Sequence, residues 1–354
     1  MITLNDLGYN DKIENFRISN NLMNFDVGRI ISEHKERYIV KTIVNEFEAE
    51  IIGNLRFSAK NRSDFPAVGD WVSVKQYDTN KLIIYNILPR QNVIERQAVG
   101  KFGERQIIAS NIDYALIVQA VDRGFNINRI ERYLTICNTS EVLPIIVITK
   151  IDLIDNIELL AISDAISKRI KQVPIIFISN ENKKGFEELI NLIEKGKTYC
   201  LLGSSGVGKS TLLNNLIGEN VMQTNEISES TNRGKHVTSY RQLFVLENGG
   251  LLIDNPGMRE VGITDVEKGL EITFSMILEL SVNCKYKDCK HINEIGCAVI
   301  KAVEQGKIEQ SSYENYLKLE KEKTHFDMNM IEKRQKDKEF GKMVKQYKKD
   351  MFKK

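Results

Sequence analysis

Gly203-Ser204-Ser205-Gly206-Val207-Gly208-Lys209-Ser210 spells G-x-x-x-x-G-K-[ST], a spacing suited to holding phosphate. Its glycines let successive backbone N–H groups turn inward at phosphate oxygens, and the helix that follows adds its partial positive end. Lys209 is expected to reach the outer phosphates, the Ser210 hydroxyl to bind Mg²⁺, and Thr211 to open the helix beside them. Leu201 and Leu202 end an apolar run suited to a buried strand, and Leu212, Leu213 and Leu216 share one face of the following helix. Strand, glycine loop, helix is the context the motif requires. The chain is therefore expected to bind a nucleoside triphosphate with magnesium.

Further residues fit the same ligand. Asp254-Asn255-Pro256-Gly257 follows the apolar strand Gly250-Leu251-Leu252-Ile253 and matches the D-x-x-G element of phosphate-loop GTPases. Asp254 can hold the metal ion through a water, and the Gly257 N–H can meet the γ-phosphate, where a side chain would obstruct it. The polar segment Asn232–Ser239 lies between these motifs, and its Thr238 is the candidate to complete the magnesium shell. A plain solvent-facing hydroxyl is the alternative for that threonine. Thr149-Lys150-Ile151-Asp152 follows the strand Ile145–Ile148 and is similar to the N-K-x-D guanine motif. Asp152 can accept hydrogen bonds from guanine N1–H and the exocyclic amine, a donor pair adenine lacks. Lys150 can lie along base and ribose. Thr149 can still bond to backbone, with the bridging role of an asparagine weakened. Ser179 and Asn180, ending the next strand, are placed to offer backbone N–H groups to guanine O6. The guanine motifs precede the phosphate loop, whereas an ordinary GTPase carries them after it. The sequence thus reads as a circular permutation, with all these loops gathered at one sheet edge.

A second constellation points to metal. Cys284, Cys289, His291 and Cys297 form C-x4-C-x-H-x5-C within fourteen residues. Three thiolates and an imidazole suit one structural, tetrahedral zinc and leave no open position for catalysis. Lys285, Lys287 and Lys290 surround the site with positive charge, suited to RNA or to offsetting the thiolates. Cys137 and Cys200 lie in apolar runs and read as core.

The elements that must carry these residues fall into three regions. The chain has 354 residues, 42% hydrophobic and 28% charged, with net charge +2, so overall charge selects no partner. Residues 1–95 carry five short β-branched runs separated by turn signals, which suits an OB-type β-barrel, for RNA binding or as a purely structural domain. Residues 96–262 alternate strands with helical segments, the texture of an α/β nucleotide domain with a mixed sheet. Residues 263–354 read as a helical zinc-binding domain ending in a basic tail. That tail carries six lysines from Lys342 onward against Asp350 alone, and reads as a solvated helix end or a contact for phosphates. No basic-then-apolar leader opens the chain and no apolar run approaches bilayer length, so a cytoplasmic protein without membrane contact is expected.

A barrel, a permuted GTPase domain and a zinc knuckle, in that order, resemble the ribosome small-subunit-dependent GTPase A family. The phosphate loop, Arg233-Gly234-Lys235-His236, Asp254-Asn255-Pro256-Gly257 and the zinc ligands carry the resemblance over residues 25–325. It implies a GTPase that acts late in small-subunit maturation, is stimulated by the subunit, and contacts its rRNA through barrel and zinc domain. A nucleotide-gated RNA-binding checkpoint with incidental hydrolysis is the other reading, and a base choice relaxed toward ATP a third. A monomer that cycles between GTP and GDP is expected. Met258 stands where related enzymes carry a water-orienting glutamine and cannot orient water through polar contacts. The resemblance transfers that task to His236, with Lys209 and Thr238 completing the catalytic set.

Overall fold

The structure is a computed structural model that describes residues 2–34, 37–97, 105–122, 125–219, 241–254 and 267–327. In chain order, α1 (Asp11–Ser19) precedes β1 (Asp26–His34), β2 (Arg37–Lys41) and β3 (Glu46–Ile51). Then come α2 (Gly53–Ser58), β4 (Trp71–Asp78) and β5 (Lys81–Ile87). The antiparallel pair β6 (Val93–Gln97) and β7 (Arg105–Ser110) leads into β8 (Tyr114–Ala120), α3 (Ile127–Thr139), β9 (Leu143–Thr149) and α4 (Asn156–Arg169). After these follow β10 (Ile175–Phe177), α5 (Phe186–Leu192), β11 (Thr198–Leu202), α6 (Lys209–Ile217), β12 (Arg241–Val245) and β13 (Leu251–Asp254). The helices α7 (Glu267–Thr273), α8 (Ser275–Ser281), α9 (Ala298–Glu304) and α10 (Gln310–Asp327) end the described chain.

The first five strands close a barrel in the order β1-β2-β3-β5-β4, with β4 returning to β1 and β3 running parallel to β5. Alternation builds its interior. Ile30, Tyr38, Val40, Ala49, Ile51, Val72, Val74, Leu82 and Ile84 point inward as one cluster. A bulge in β1 leaves Ile31 between the pairs Ile30↔Val40 and Ser32↔Ile39. Such an extra residue bends a strand. The first half of β1 closes the barrel against β4, while Ser32 and Glu33 beyond the bulge pair with β12 of the next sheet.

That sheet runs β10-β9-β8-β11-β13-β12, parallel except for β12. Its strands are apolar on both faces because helices cover both. On one side α3 and α4 bring Ile130, Leu134, Cys137 and Ile166 against Ile117, Ile146, Ile148 and Cys200. On the other, α5 and α6 bring Phe186, Leu189, Leu212 and Leu213 against Leu116, Val118, Val147 and Leu201. Along β9 residues 145 and 147 serve the second face and 146 and 148 the first, the period-2 split of a strand. The third region packs Leu270, Phe274, Ile277, Val299, Ala302, Tyr316 and Leu319 around α7 to α10. Among the described residues no helix is long and apolar enough to cross a membrane.

Two details differ from sequence expectation. β10 is confined to Ile175–Phe177 and stops short of Ser179 and Asn180, expected at the strand's end, because Ser179 turns out of the ladder to bond Lys184. The N-terminal segment supplies a helix, α1, capped by Asn10. Leu7 and Ile13 enter the main core, and the fully buried Arg29 donates to Leu7 C=O at 2.6 Å, Gly69 C=O at 3.2 Å and Asn111 C=O at 3.0 Å.

Candidate functional site

Adjacent strands β8 and β11 send their helices to opposite faces, α3 to one and α6 to the other. A crevice opens at the carboxyl ends where such connections diverge, and ligands of doubly wound sheets bind there. Those predicted residues that are described converge on this edge. β11 ends at Leu202 and turns directly into Gly203, whose φ is +153°. A Cβ on Gly203 would lie 2.4 Å from the Val118 carbonyl oxygen, so only glycine lets the loop leave the strand there. Ser204, Ser205 and Gly206 are partly exposed, Val207 is buried beneath them, and Lys209, Ser210 and Thr211 form the first turn of α6. The Lys209 ammonium donates to the carbonyls of Gly203 and Ser204 at 2.7 and 2.6 Å, inside its own loop. Asp254 is buried at the end of β13, with Gln242 of β12 opposite it in register.

The base-side loops are tied to this phosphate loop. The Thr149 hydroxyl donates to Val207 C=O at 2.7 Å, and the Asn180 amide donates to Gly208 C=O at 3.2 Å. Lys150, left-handed at φ +62°, sends its ammonium to Asp122 at the end of β8, 2.6 Å away. The Ile151 N–H bonds Ile178 C=O at 3.4 Å, so the Thr149–Asp152 loop is laced to the end of the β10 strand. The Ser179 hydroxyl donates to the Asp152 carboxylate and accepts from the N–H groups of Glu181 and Asn182 at 3.2 and 3.3 Å. Those contacts fix the direction of the carboxylate that would face the base. Asp122 and Asn215 join this constellation and were not singled out from sequence. Asp122 stands one residue beyond an apolar run, and Asn215 is a polar residue within the leucine-rich helix Lys209–Ile217. His236, Thr238 and Gly257, with Met258, lie outside the described residues.

The cysteine–histidine cluster is assembled by a loop between α8 and α9. Its four ligand atoms all lie within 4.8 Å of one another. Cys284 Sγ is 3.8 Å from Cys297 Sγ and 3.6 Å from His291 Nδ1, which is 3.4 Å from Cys297 Sγ. Tetrahedral zinc, with bonds of about 2.3 Å to sulfur and 2.0 Å to nitrogen, sets S···S near ~3.8 Å and S···N near ~3.5 Å. The three distances among Cys284, His291 and Cys297 match such a site, and Cys289 completes a four-ligand group within 4.8 Å that could hold one metal ion. Backbone N–H groups of Ala298 and Ile300 point at Cys284 and Cys297 sulfur, both at 3.4 Å. The Glu294 carboxylate gathers the N–H groups of Lys290, Ile292 and Asn293, which hold its pKa down at about 2 and fix the turn. From α10, the Tyr313 hydroxyl donates to the His291 carbonyl.

The metal region is docked on the nucleotide domain by a buried polar contact. Arg169 of α4 grips Glu131 of α3 through Nε at 3.0 Å and an outer nitrogen at 2.6 Å. Ser312 and Asn315 of α10 donate to the same carboxylate at 3.0 and 2.7 Å.

Known proteins repeat this arrangement. The family model described as RsgA GTPase matches residues 87–264. The chain belongs to the RsgA GTPase family. A second model, 50S ribosome-binding GTPase, matches from residue 198, the first of β11, to residue 350. It starts on the strand that feeds the phosphate loop and leaves out β8 to β10, as a permuted order requires. The small ribosomal subunit biogenesis GTPase RsgA 1 of Bacteroides thetaiotaomicron is 39% identical over 323 residues, covering 91% of this chain and 90% of the relative. RsgA 2 of Lactiplantibacillus plantarum is 41% identical over 305 residues, covering 86% and 85%. Among solved structures, YjeQ from Thermotoga maritima has a TM-score of 0.61 at 27% identity, over 83% of this chain and 96% of that one. YloQ, described as a circularly permuted GTPase, has a TM-score of 0.60 at 25% identity, over 86% and 97%. As a member of the RsgA family the chain is a GTP hydrolase, and its Cys284–Cys289–His291–Cys297 group can hold a metal ion.

Proposed function

We propose that this RsgA-family GTPase couples GTP hydrolysis to maturation of the small ribosomal subunit, in the cytoplasm and as a monomer. The observation that carries the nucleotide part is the joining of two loop sets: Thr149 and Asn180, from the base side, hold consecutive carbonyls of the phosphate loop. Asp152, oriented by Ser179, reads guanine; Lys150 flanks the base, and Gly203 to Thr211 cradle the phosphates. Lys209 releases its loop carbonyls to meet the β- and γ-phosphates. Ser210, Thr238 and Asp254 would hold magnesium, which would supply positive charge against the phosphates. Gly257 approaches the γ-phosphate. Water attacks the γ-phosphorus, the bond to the β–γ bridging oxygen breaks, and GDP and phosphate leave. His236 orients that water once the subunit has ordered its loop.

The coupling rests on the two flanking regions. We assign residues 1–95 to an rRNA-binding barrel, 96–262 to the GTPase domain and 263–354 to a zinc-binding domain. Zinc is favoured by a donor set of three sulfurs and one nitrogen gathered within 4.8 Å. The relatives' description as small-subunit biogenesis GTPases supports the partner. GTP turnover measured with and without purified small subunits tests the reading. Stimulation is expected, lost in His236→Ala with GTP affinity retained. Equal turnover with and without subunits would overturn the coupling, and unchanged stimulation in His236→Ala would remove that residue from the mechanism.

A further inference from the structure

Base selection requires two loops on different strands to keep a fixed separation from the phosphate loop. Thr149 has one hydroxyl and reaches one carbonyl, that of Val207, at 2.7 Å. The neighbouring carbonyl, Gly208, is met instead by the Asn180 amide at 3.2 Å. Asn180 is itself buried, 8% exposed, and its amide has to face Gly208 rather than turn over. Asn215 on α6 supplies that constraint. Its Nδ2 donates to the Asn180 main-chain carbonyl at 3.1 Å and to the Asn180 Oδ1 at 3.3 Å. The Asn180 oxygen is thereby drawn to α6 and its nitrogen is left facing the phosphate loop.

These contacts close a ring. Gly208 opens α6, α6 carries Asn215, Asn215 holds Asn180, and Asn180 returns to Gly208. A Cβ at Gly208 would meet the Asn180 Nδ2 at 2.7 Å, so the amide passes over the glycine in close contact. Ser179, next to Asn180 in the chain, donates to the Asp152 carboxylate. The position of Asn180 is therefore passed by one residue to the group that would read the base.

We infer that Asn215 is a positioning residue for guanine selection: through Asn180 it locks the base-recognition loop to the phosphate-loop helix. The inference rests on the nucleotide-site assignment made above. One hydrogen bond of this kind contributes enough for a roughly three- to tenfold change in an equilibrium constant.

The test is nucleotide affinity of the full-length protein for GTP and for ITP, which lacks the exocyclic amine. Asn215→Ala and the similarly sized Asn215→Leu both remove the N–H donors. Each should weaken GTP about three- to tenfold and ITP less, so that the GTP-to-ITP preference contracts, with Asn180→Ala adding little on top. Equal weakening of both nucleotides would mean that Asn215 only stabilises α6 and would overturn the inference. So would wild-type preference in Asn215→Leu, which would make the effect one of packing. Lys209→Ala and Asp152→Ala separate the two levels. If neither alters GTP binding, the site assignment itself fails; if they do while the Asn215 variants match wild type, only the positioning role fails.

Discussion

Replacing Arg169 by methionine should loosen the metal-binding region from the GTPase domain more than any rim substitution. The side chains of Arg169 and Glu131 are 7% and 3% exposed. Glu131 accepts four hydrogen bonds, two from Arg169 and one each from Ser312 and Asn315. Arg169→Met removes both charge-assisted bonds and leaves a carboxylate among two neutral donors. Breaking a buried pair by deleting one partner costs about 3–5 kcal/mol, because the remaining charge is neither paired nor hydrated. The pair Arg132–Glu322 gives the internal control: it joins α3 to α10, the helices that Glu131 also links through Ser312 and Asn315, at 2.7 Å with side chains 28% and 32% exposed. Pairs that water reaches contribute only about 0–1 kcal/mol.

Global unfolding of a chain with several cores is not two-state, so the sharper readout is amide hydrogen exchange within α10. At 1.36 kcal/mol per decade, Arg169→Met should lower α10 protection by roughly two to four decades, up to the limit set by global opening. Arg132→Met should stay within about one decade. Adding Glu131→Leu to Arg169→Met removes the stranded charge and should recover part of the loss. If Arg169→Met and Arg132→Met gave the same exchange in α10, water would be reaching Glu131 and the dry-latch reasoning would be wrong.

Burial governs two further outcomes. Burial and a neighbouring Arg241 act oppositely on Glu33, and burial wins, raising its pKa. The folded state then holds this proton more tightly than the unfolded chain, so the contribution to stability is full below the ordinary carboxylate range and falls as pH rises through the raised value. Glu33→Gln should therefore be at least as stable as wild type at neutral pH, with any advantage closing in acid; a variant destabilised only at neutral pH would show that the Arg241 contact dominates. Metal removal sorts the five cysteines. Cys137 and Cys200 are fully buried and their thiols are pushed up by burial. After chelation an alkylating reagent should add to Cys284, Cys289 and Cys297 and spare those two until the protein unfolds, and mass spectrometry showing Cys137 or Cys200 labelled in the folded chelated protein would contradict the packing.

Much of this architecture is written locally in the chain. The alternation through Ile145–Ile148, the glycine loop after Leu202 and the Cys–His spacing each need only a few neighbouring residues to be meaningful. What stayed hidden depends on partners distant in sequence. Arg29 lies in β1 beside Ile30 and Ile31, yet it is 1% exposed, because three carbonyls from separate segments surround its guanidinium. Helix α2 buries none of its residues, so no apolar stripe announces it. At Thr149 the residue type alone suggested a weakened bridge. The structure instead divides the bridging between Thr149 and Asn180, 31 positions apart, a sharing no local pattern encodes.

The barrel touches the nucleotide sheet at its terminal strand. The chain enters this sheet at β8, in its middle, and β12 is the terminal, antiparallel strand. An uncovered edge strand invites pairing with other chains. β1 of the barrel takes that place, using the part of itself that the bulge at Ile31 frees from barrel closure. Gln242 then lies opposite Ser32 on one side and Asp254 on the other. One backbone row therefore runs from the barrel wall, through a single strand, to the aspartate assigned to magnesium. Arg241 reinforces the seam, donating to Ile107 C=O at 3.0 Å and lying 3.5 Å from the Glu33 carboxylate. A shift of β13 at its phosphate end has to be carried by β12 into β1 or break these bonds. The same pairing that covers the sheet's edge thus links the barrel, through a single strand, to the strand that ends at Asp254.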